Sequence, residues 1–333
     1  LGNAPKEDFQ MLFLLRRTMF LAFLAVGWLT MPACEADDSR TRPGGEGEGE
    51  GEGEGEGEGE GEGEGEGEGE GNDVDPCPEA SKLIYVVDNG RNFYRFDPSA
   101  TGNAAFEKIS TLNCPSGGQP FSMAVSREGY AYVLYAKQGV TNYECVGLNK
   151  VNIQNGECEG LTDFKCGTQG FELFGMGYST DKKGGQNEKL YIGSAFKPAS
   201  FATLDPETGE VNLLGTLATE GPEFTGNGDA ELWGFFPYTN PPELRHIDKQ
   251  GGSTLTTLKL TGLSSPSGNT AWAFAYWAGS LYVFYMNAAA GATNVSTDVH
   301  KVEYDGVRTT PFPSTGLRIV GAGVSTCAPT API

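Results

Sequence analysis

The chain has 333 residues, enough for one large domain, and a formal net charge of −21 with only two histidines. Thirteen of its negative charges are glutamates that alternate with glycine over residues 46–70, so the acidity belongs mostly to one segment and not to a globular surface. No basic stripe offsets it, which argues against nucleic acid as a ligand.

Residues 1–10 are polar and precede Met11, and translation is expected to begin at Met11 or Met19. Arg16 and Arg17 stand before an apolar run at 18–31, the form of a secretory signal peptide. A spanning helix would need about 20 apolar residues, and the residues after Arg16-Arg17 fit a twin-arginine signal poorly. The run ends in Leu29-Thr30-Met31-Pro32-Ala33-Cys34, which resembles a bacterial lipobox, although Met31 and Pro32 depart from that pattern. Residues 1–34 therefore read as upstream residues plus an export signal, with Cys34 as the lipid-attachment site. Ordinary cleavage near Ala36, with Cys34 lost, is the alternative. Residues 35–72 have almost nothing apolar to bury. Glycine maximises chain entropy and alternate glutamates repel one another, so this stretch reads as a disordered acidic tether spanning roughly 35 Å.

Over 73–333 the apolar runs are short, rich in Tyr, Phe, Val and Ile, and separated by turn signals such as Asn155-Gly156 and Pro206-Glu207-Thr208-Gly209. No stretch keeps helical periodicity for three turns without Gly or Pro, which is an all-β pattern. A short phrase recurs five times: Arg95-Phe96-Asp97, Lys150-Val151-Asn152, Thr203-Leu204-Asp205, His246-Ile247-Asp248 and Lys301-Val302-Glu303. Each copy follows an aromatic-centred phrase, built on Tyr85, Tyr132, Tyr191, Trp233 and Tyr282. Self-similarity at roughly 40 to 60 residues signals a solenoid or propeller.

Strands are predicted in fours: 121–125, 130–135, 146–153 and 157–164, then 171–178, 189–196, 201–205 and 211–217. The next repeat has 223–226, 231–236, 243–248 and 253–260, and the last has 271–277, 280–286, 299–304 and 307–311. Four strands make a propeller blade. The first repeat offers only three, at 83–88, 93–97 and 106–112, and the missing innermost strand is predicted at 318–326. The expected fold is all-β: a five-bladed β-propeller closed by its C-terminal strand, which leaves no exposed edge.

Seven cysteines are present, and setting Cys34 aside leaves six, an even number suited to an oxidising compartment. Closure predicts Cys77 joined to Cys327, since both flank the gap in the ring. The hairpin turning at Asn155-Gly156 places Cys145 opposite Cys166 and leaves Cys114 with Cys158, while Cys145 with Cys158 remains an open alternative.

Chemistry is sparse. His246 and His300 occupy neighbouring positions of the repeated phrase in different blades and read as strand decoration, and no His or Cys pair has zinc-ligand spacing. No Gly-x-Ser-x-Gly elbow or phosphate loop occurs, so no catalytic residue, metal or cofactor is assigned. Asp97, Asp205 and Asp248 suggest calcium or acid catalysis at first sight, but their fixed place before a turn suits carboxylates that accept turn amides. The remaining candidate is the loop 226–234, where Asp229, Glu231 and Trp233 could form a ligand face with Trp233 stacking a sugar ring. Aromatic packing between blades is its competing explanation.

Asp205-Pro206-Glu207-Thr208-Gly209 resembles the strand-turn phrase of bacterial quinoprotein-like and surface-antigen propeller repeats. Pro120-Phe121-Ser122-Met123-Ala124-Val125, Phe174-Gly175-Met176-Gly177, Trp272-Ala273-Phe274-Ala275 and the run Val320 to Cys327 resemble myxobacterial-type lipoproteins. That resemblance implies a secreted, lipid-anchored propeller and carries no catalytic residues. The sequence thus points to a monomeric binding or interaction module at the cell envelope, anchored to a membrane through its N-terminus, with a glycan or protein ligand. A carbohydrate-active hydrolase or lyase using carboxylates near the axis, and a structural envelope protein, are the other readings.

Overall fold

The computed structural model describes residues 77–333, except Thr141, Asn294 and the side chain of Asn103. The expected export signal, Cys34 and the Gly-Glu tether lie outside the described residues. The first strands are β1 (Ile84–Asp88), β2 (Asn92–Phe96) and β3 (Phe106–Thr111). The second group is β4 (Gln119–Val125), β5 (Tyr130–Gln138), β6 (Tyr143–Asn152) and β7 (Cys158–Gly160). The third is β8 (Phe174–Thr180), β9 (Glu188–Ser194), β10 (Ser200–Leu204) and β11 (Val211–Thr216). The fourth is β12 (Glu223–Gly226), β13 (Leu232–Phe236), β14 (Glu243–Ile247) and β15 (Thr254–Lys259). The fifth is β16 (Asn269–Trp277), β17 (Ser280–Ala288), β18 (Asp298–Val302) and β19 (Arg308–Phe312), and β20 (Ile319–Val324) is the last strand. They form five four-stranded antiparallel sheets, and the first has the order β20-β1-β2-β3. This is a five-bladed propeller closed by its C-terminal strand.

The repeated phrases are now explained by register. In all five blades the central aromatic of the second strand lies directly opposite the first residue of the phrase on the third. The pairs are Tyr85 with Arg95, Tyr132 with Lys150, Tyr191 with Thr203, Trp233 with His246, and Tyr282 with Lys301. A ring covered by the stem of a polar cross-strand neighbour is a favourable pair in a half-buried sheet.

The inner strands β20, β4, β8, β12 and β16 pack side by side around the axis. Their small residues permit this. A Cβ on Gly175 would lie 1.9 Å from the Pro222 carbonyl oxygen, and one on Gly177 would lie 2.6 Å from the Phe224 carbonyl carbon, so any side chain there would force β8 away from β12. Further out, aromatic rings fill the wedge between blades: Phe96 stacks on Phe106 at 4.6 Å and meets Phe284 and Phe312 of the fifth blade edge-on.

The seam between chain ends is held several ways. β20 pairs with β1 from Ile84 opposite Val324 to Val87 opposite Gly321. Cys77 is bonded to Cys327. The Ser325 hydroxyl donates to the Ser81 carbonyl at 2.7 Å, and the Trp277 indole donates to that of Lys82 at 2.9 Å. The other disulfides are Cys114–Cys158 and Cys145–Cys166, so the Cys145–Cys158 alternative is not formed. They explain why β7 stops at Gly160 instead of running to 164. The chain must turn back so that Cys166 reaches Cys145, and Phe164 buries against Phe174 of the third blade.

Candidate functional site

The loop singled out by the sequence is an internally bonded turn. Asn227 accepts the amides of Asp229 and Glu231 at 3.0 and 3.1 Å, and its own amide donates to the Glu231 carboxylate at 2.9 Å. The same carboxylate oxygen accepts the Trp233 indole at 3.4 Å and the Tyr304 hydroxyl. Asp229 pairs with Lys183 at 3.2 Å. Trp233 is 4 % exposed and lies between His246 on one side, 5.0 Å away, and Tyr304 on the other, 5.2 Å away. The structure therefore brings Asp229, Glu231 and Trp233 together, but both faces of the ring are covered and no platform is left for a sugar.

The acids of the repeated phrase fasten turns. Asp97 accepts the Ser99 amide, Asp205 those of Glu207 and Thr208, and Asp248 that of Gln250, while Asn152 does the same for Gln154. In the fifth blade the longer Glu303 instead takes the Ser280 hydroxyl, and Asp305 accepts the turn amide of Val307. The two histidines do not meet. His246 stacks on Trp233, whereas His300 is buried, beside Thr310 and the Arg308 guanidinium. Burial and that guanidinium push its imidazole down to about 4, so it is neutral. It is not the surface decoration anticipated from its place in the phrase, because the Thr310 and Arg308 side chains of β19 lie against it.

Near the axis one acid is buried. Glu223 opens β12 and accepts the Ser122 hydroxyl of β4 at 2.8 Å and the Met176 amide of β8, tying three blades together. Burial pushes its carboxyl well above the usual range.

A cavity of about 570 Å³ opens between the second and third blades. Its walls carry Tyr130 and Tyr132 of β5, Lys150 of β6, Tyr178 of β8 and Glu188 of β9, with Glu128 and Glu207 from adjoining turns. Glu207 is the anchor: one of its carboxylate oxygens accepts the Tyr132 hydroxyl at 2.7 Å and the Lys150 ammonium at 2.9 Å. Those two donors hold its carboxyl below the ordinary value. The Lys150 ammonium also sits 4.4 Å above the Tyr130 ring. Glu188 accepts the Thr326 hydroxyl at 2.6 Å and the Arg127 amide at 2.8 Å. Burial outweighs these bonds and raises its carboxyl to about 7. Tyr178 is 7 % exposed, lines the cavity with its ring 6.0 Å from that of Tyr132, and its phenol is pushed up first by burial and then by Tyr132, Glu188, Glu128 and Glu207.

None of these cavity residues was singled out in the sequence. Tyr132 and Lys150 are members of the repeated pair, and Glu207 hides in a turn phrase. The available signal is disagreement between copies: two positions beyond the last residue of the phrase the blades carry Ser99, Gln154, Glu207, Gln250 and Asp305, and of these only Glu207 bonds a neighbouring blade's tyrosine and lysine.

No protein-family model and no curated protein matches the chain. Among solved structures it is similar to TolB from Acinetobacter baumannii at 13 % identity and a TM-score of 0.41, over 72 % of this chain and 55 % of that one. It is also similar to a gluconolactonase from Xanthomonas campestris at 12 % identity and a TM-score of 0.37, over 60 % of this chain and 67 % of the other. An α-L-arabinofuranosidase from Clostridium thermocellum aligns at 13 % identity and a TM-score of 0.39, over 60 % and 73 % of the two chains. The chain spans about half the length of the first of these, and likeness at this level concerns fold alone.

Proposed function

We propose that this protein is an exported, lipid-anchored binding module whose ligand enters the cleft between the second and third blades. The supporting observation is the cleft itself: a 570 Å³ cavity with three tyrosines and a preset array of charged groups, on a scaffold whose other prominent acids are consumed in turns and ion pairs. Pockets with aromatic walls and a few fixed polar groups are the usual form of ligand sites. The six cysteines paired in disulfides suit export, and the lipobox-like run ending at Cys34 would tether the propeller to a membrane.

A carbohydrate-active enzyme is the second reading, favoured by Glu188 and Glu207 lining one cavity with carboxyls pushed in opposite directions, the pattern of an acid and its partner base. Against it, both oxygens of Glu188 are already engaged by Thr326 and Arg127. Incubating the full chain with polysaccharides and aryl glycosides between pH 5 and pH 8 separates the two. Binding without turnover supports the module. Turnover abolished in Glu188→Gln supports the enzyme.

A further inference from the structure

Building on the binding-module reading, we infer that the cleft between the second and third blades takes an organic cation, a primary ammonium or guanidinium carried on an extended chain. The cavity already displays this chemistry with a group of its own. Lys150 places its ammonium 4.4 Å over the Tyr130 ring and 2.9 Å from the Glu207 carboxylate, which is how proteins hold amines by combining a ring face with an anion. Elsewhere the lining has the same components, Glu128, Glu188 and Tyr178, and its cation there, Lys189, pairs with Asp181. Glu128 is exposed and makes no hydrogen bond or ion pair among the described residues. Glu188 is held only by neutral donors, the Thr326 hydroxyl and the Arg127 amide.

The remaining charges at the rim compensate them only in part. The Arg127 guanidinium favours the Glu188 carboxylate weakly and is bonded to the carbonyls of Gly185 and Gln186 at 3.0 and 2.8 Å. The Lys189 ammonium is 3.7 Å from the Asp181 carboxylate. Asp205 caps its own turn, and Glu210 accepts the Asn212 amide. Tyr178 lines the same cavity beside Tyr132 and supplies a further aromatic wall. An ammonium between Glu128, Glu188 and Tyr178 would reproduce what Lys150 does across the cavity. It would also relieve the repulsion that Glu128 exerts on Glu188.

Two sources share this chemistry, a free polyamine and a lysine or arginine side chain of a peptide. Calorimetric titration of the full chain with spermidine, and with a lysine-rich peptide beside its fully acetylated form, tests the inference and tells the sources apart. The expected result is saturable binding of spermidine, of the unmodified peptide, or of both, weakened by salt, absent for the acetylated peptide, and reduced about tenfold in Glu128→Gln. Glu128 is exposed and unbonded, so that variant keeps the fold. Wild-type protein that takes up no amine overturns the inference. If a neutral oligosaccharide binds instead and is lost in Tyr132→Ala, the inference fails while the binding-module reading stands. If an added saccharide is hydrolysed, both fail.

Discussion

The seam makes a quantitative prediction. Replacing Cys77 and Cys327 together by serine removes the one covalent link across the gap between β1 and β20. The bond joins residues separated by 250 positions, for which chain-entropy arguments give about 5 kcal/mol of stabilisation. The hairpin bond between Cys145 and Cys166 spans only 21 positions and by the same reasoning contributes about 3 kcal/mol. For a domain of this size a loss of 5 kcal/mol lowers the melting temperature by roughly 10 °C. Guanidinium titrations of the wild type and the two double-serine variants, monitored by tryptophan fluorescence, measure both losses. The seam variant should be the less stable by about 2 kcal/mol and should keep a cooperative transition, because the β20 ladder and the Ser325–Ser81 bond remain. A seam variant no less stable than the hairpin variant would refute the reasoning that the ring is closed at this point.

Other consequences are as direct. The raised carboxyls of Glu188 and Glu223 add stability that is complete below pH 4.5 and is lost as pH rises through their folded values, near pH 7 for Glu188. Urea midpoints should therefore decline from pH 4.5 towards pH 8, and Glu223→Gln with Glu188→Gln should flatten that decline; an unchanged slope would show that neither group is held protonated. Trp233→Ala should cost about 3–5 kcal/mol by emptying the space between His246 and Tyr304, yet leave binding at the cleft intact, as stability and binding assays on the same variant would report. Deleting residues 46–70 should leave the melting temperature nearly unchanged, and Cys34→Ala should release the protein from membranes. A large thermal drop, or unchanged membrane retention, would contradict the tether and the anchor respectively.

The scaffold was readable because it is written five times. One register, an aromatic opposite the first residue of the phrase, recurs in every blade, and local turn chemistry places the capping acids. The missing strand and the pair of flanking cysteines announced the closure. The cleft was not readable, because no local rule connects Lys150 with Glu207: they meet only when adjacent blades pack, and each is disguised within a repeat element. Burial misled in the same way. Nothing around Glu223 or His300 in the sequence signals that neighbouring strands will cover them, whereas for Trp233 packing between blades was legible beside the sugar platform, and Tyr304 of the next blade does cover it.

The ligand's position is the point on which this account stands or falls. Hydrogen exchange of the full chain, measured with and without saturating spermidine, reads it directly. Protection should appear at the cleft walls, in 127–133, 149–151 and 187–190 and in the turn 205–210, and the loop 226–233 should be unaffected. Protection confined to that loop, or none anywhere, would contradict a ligand site between the second and third blades.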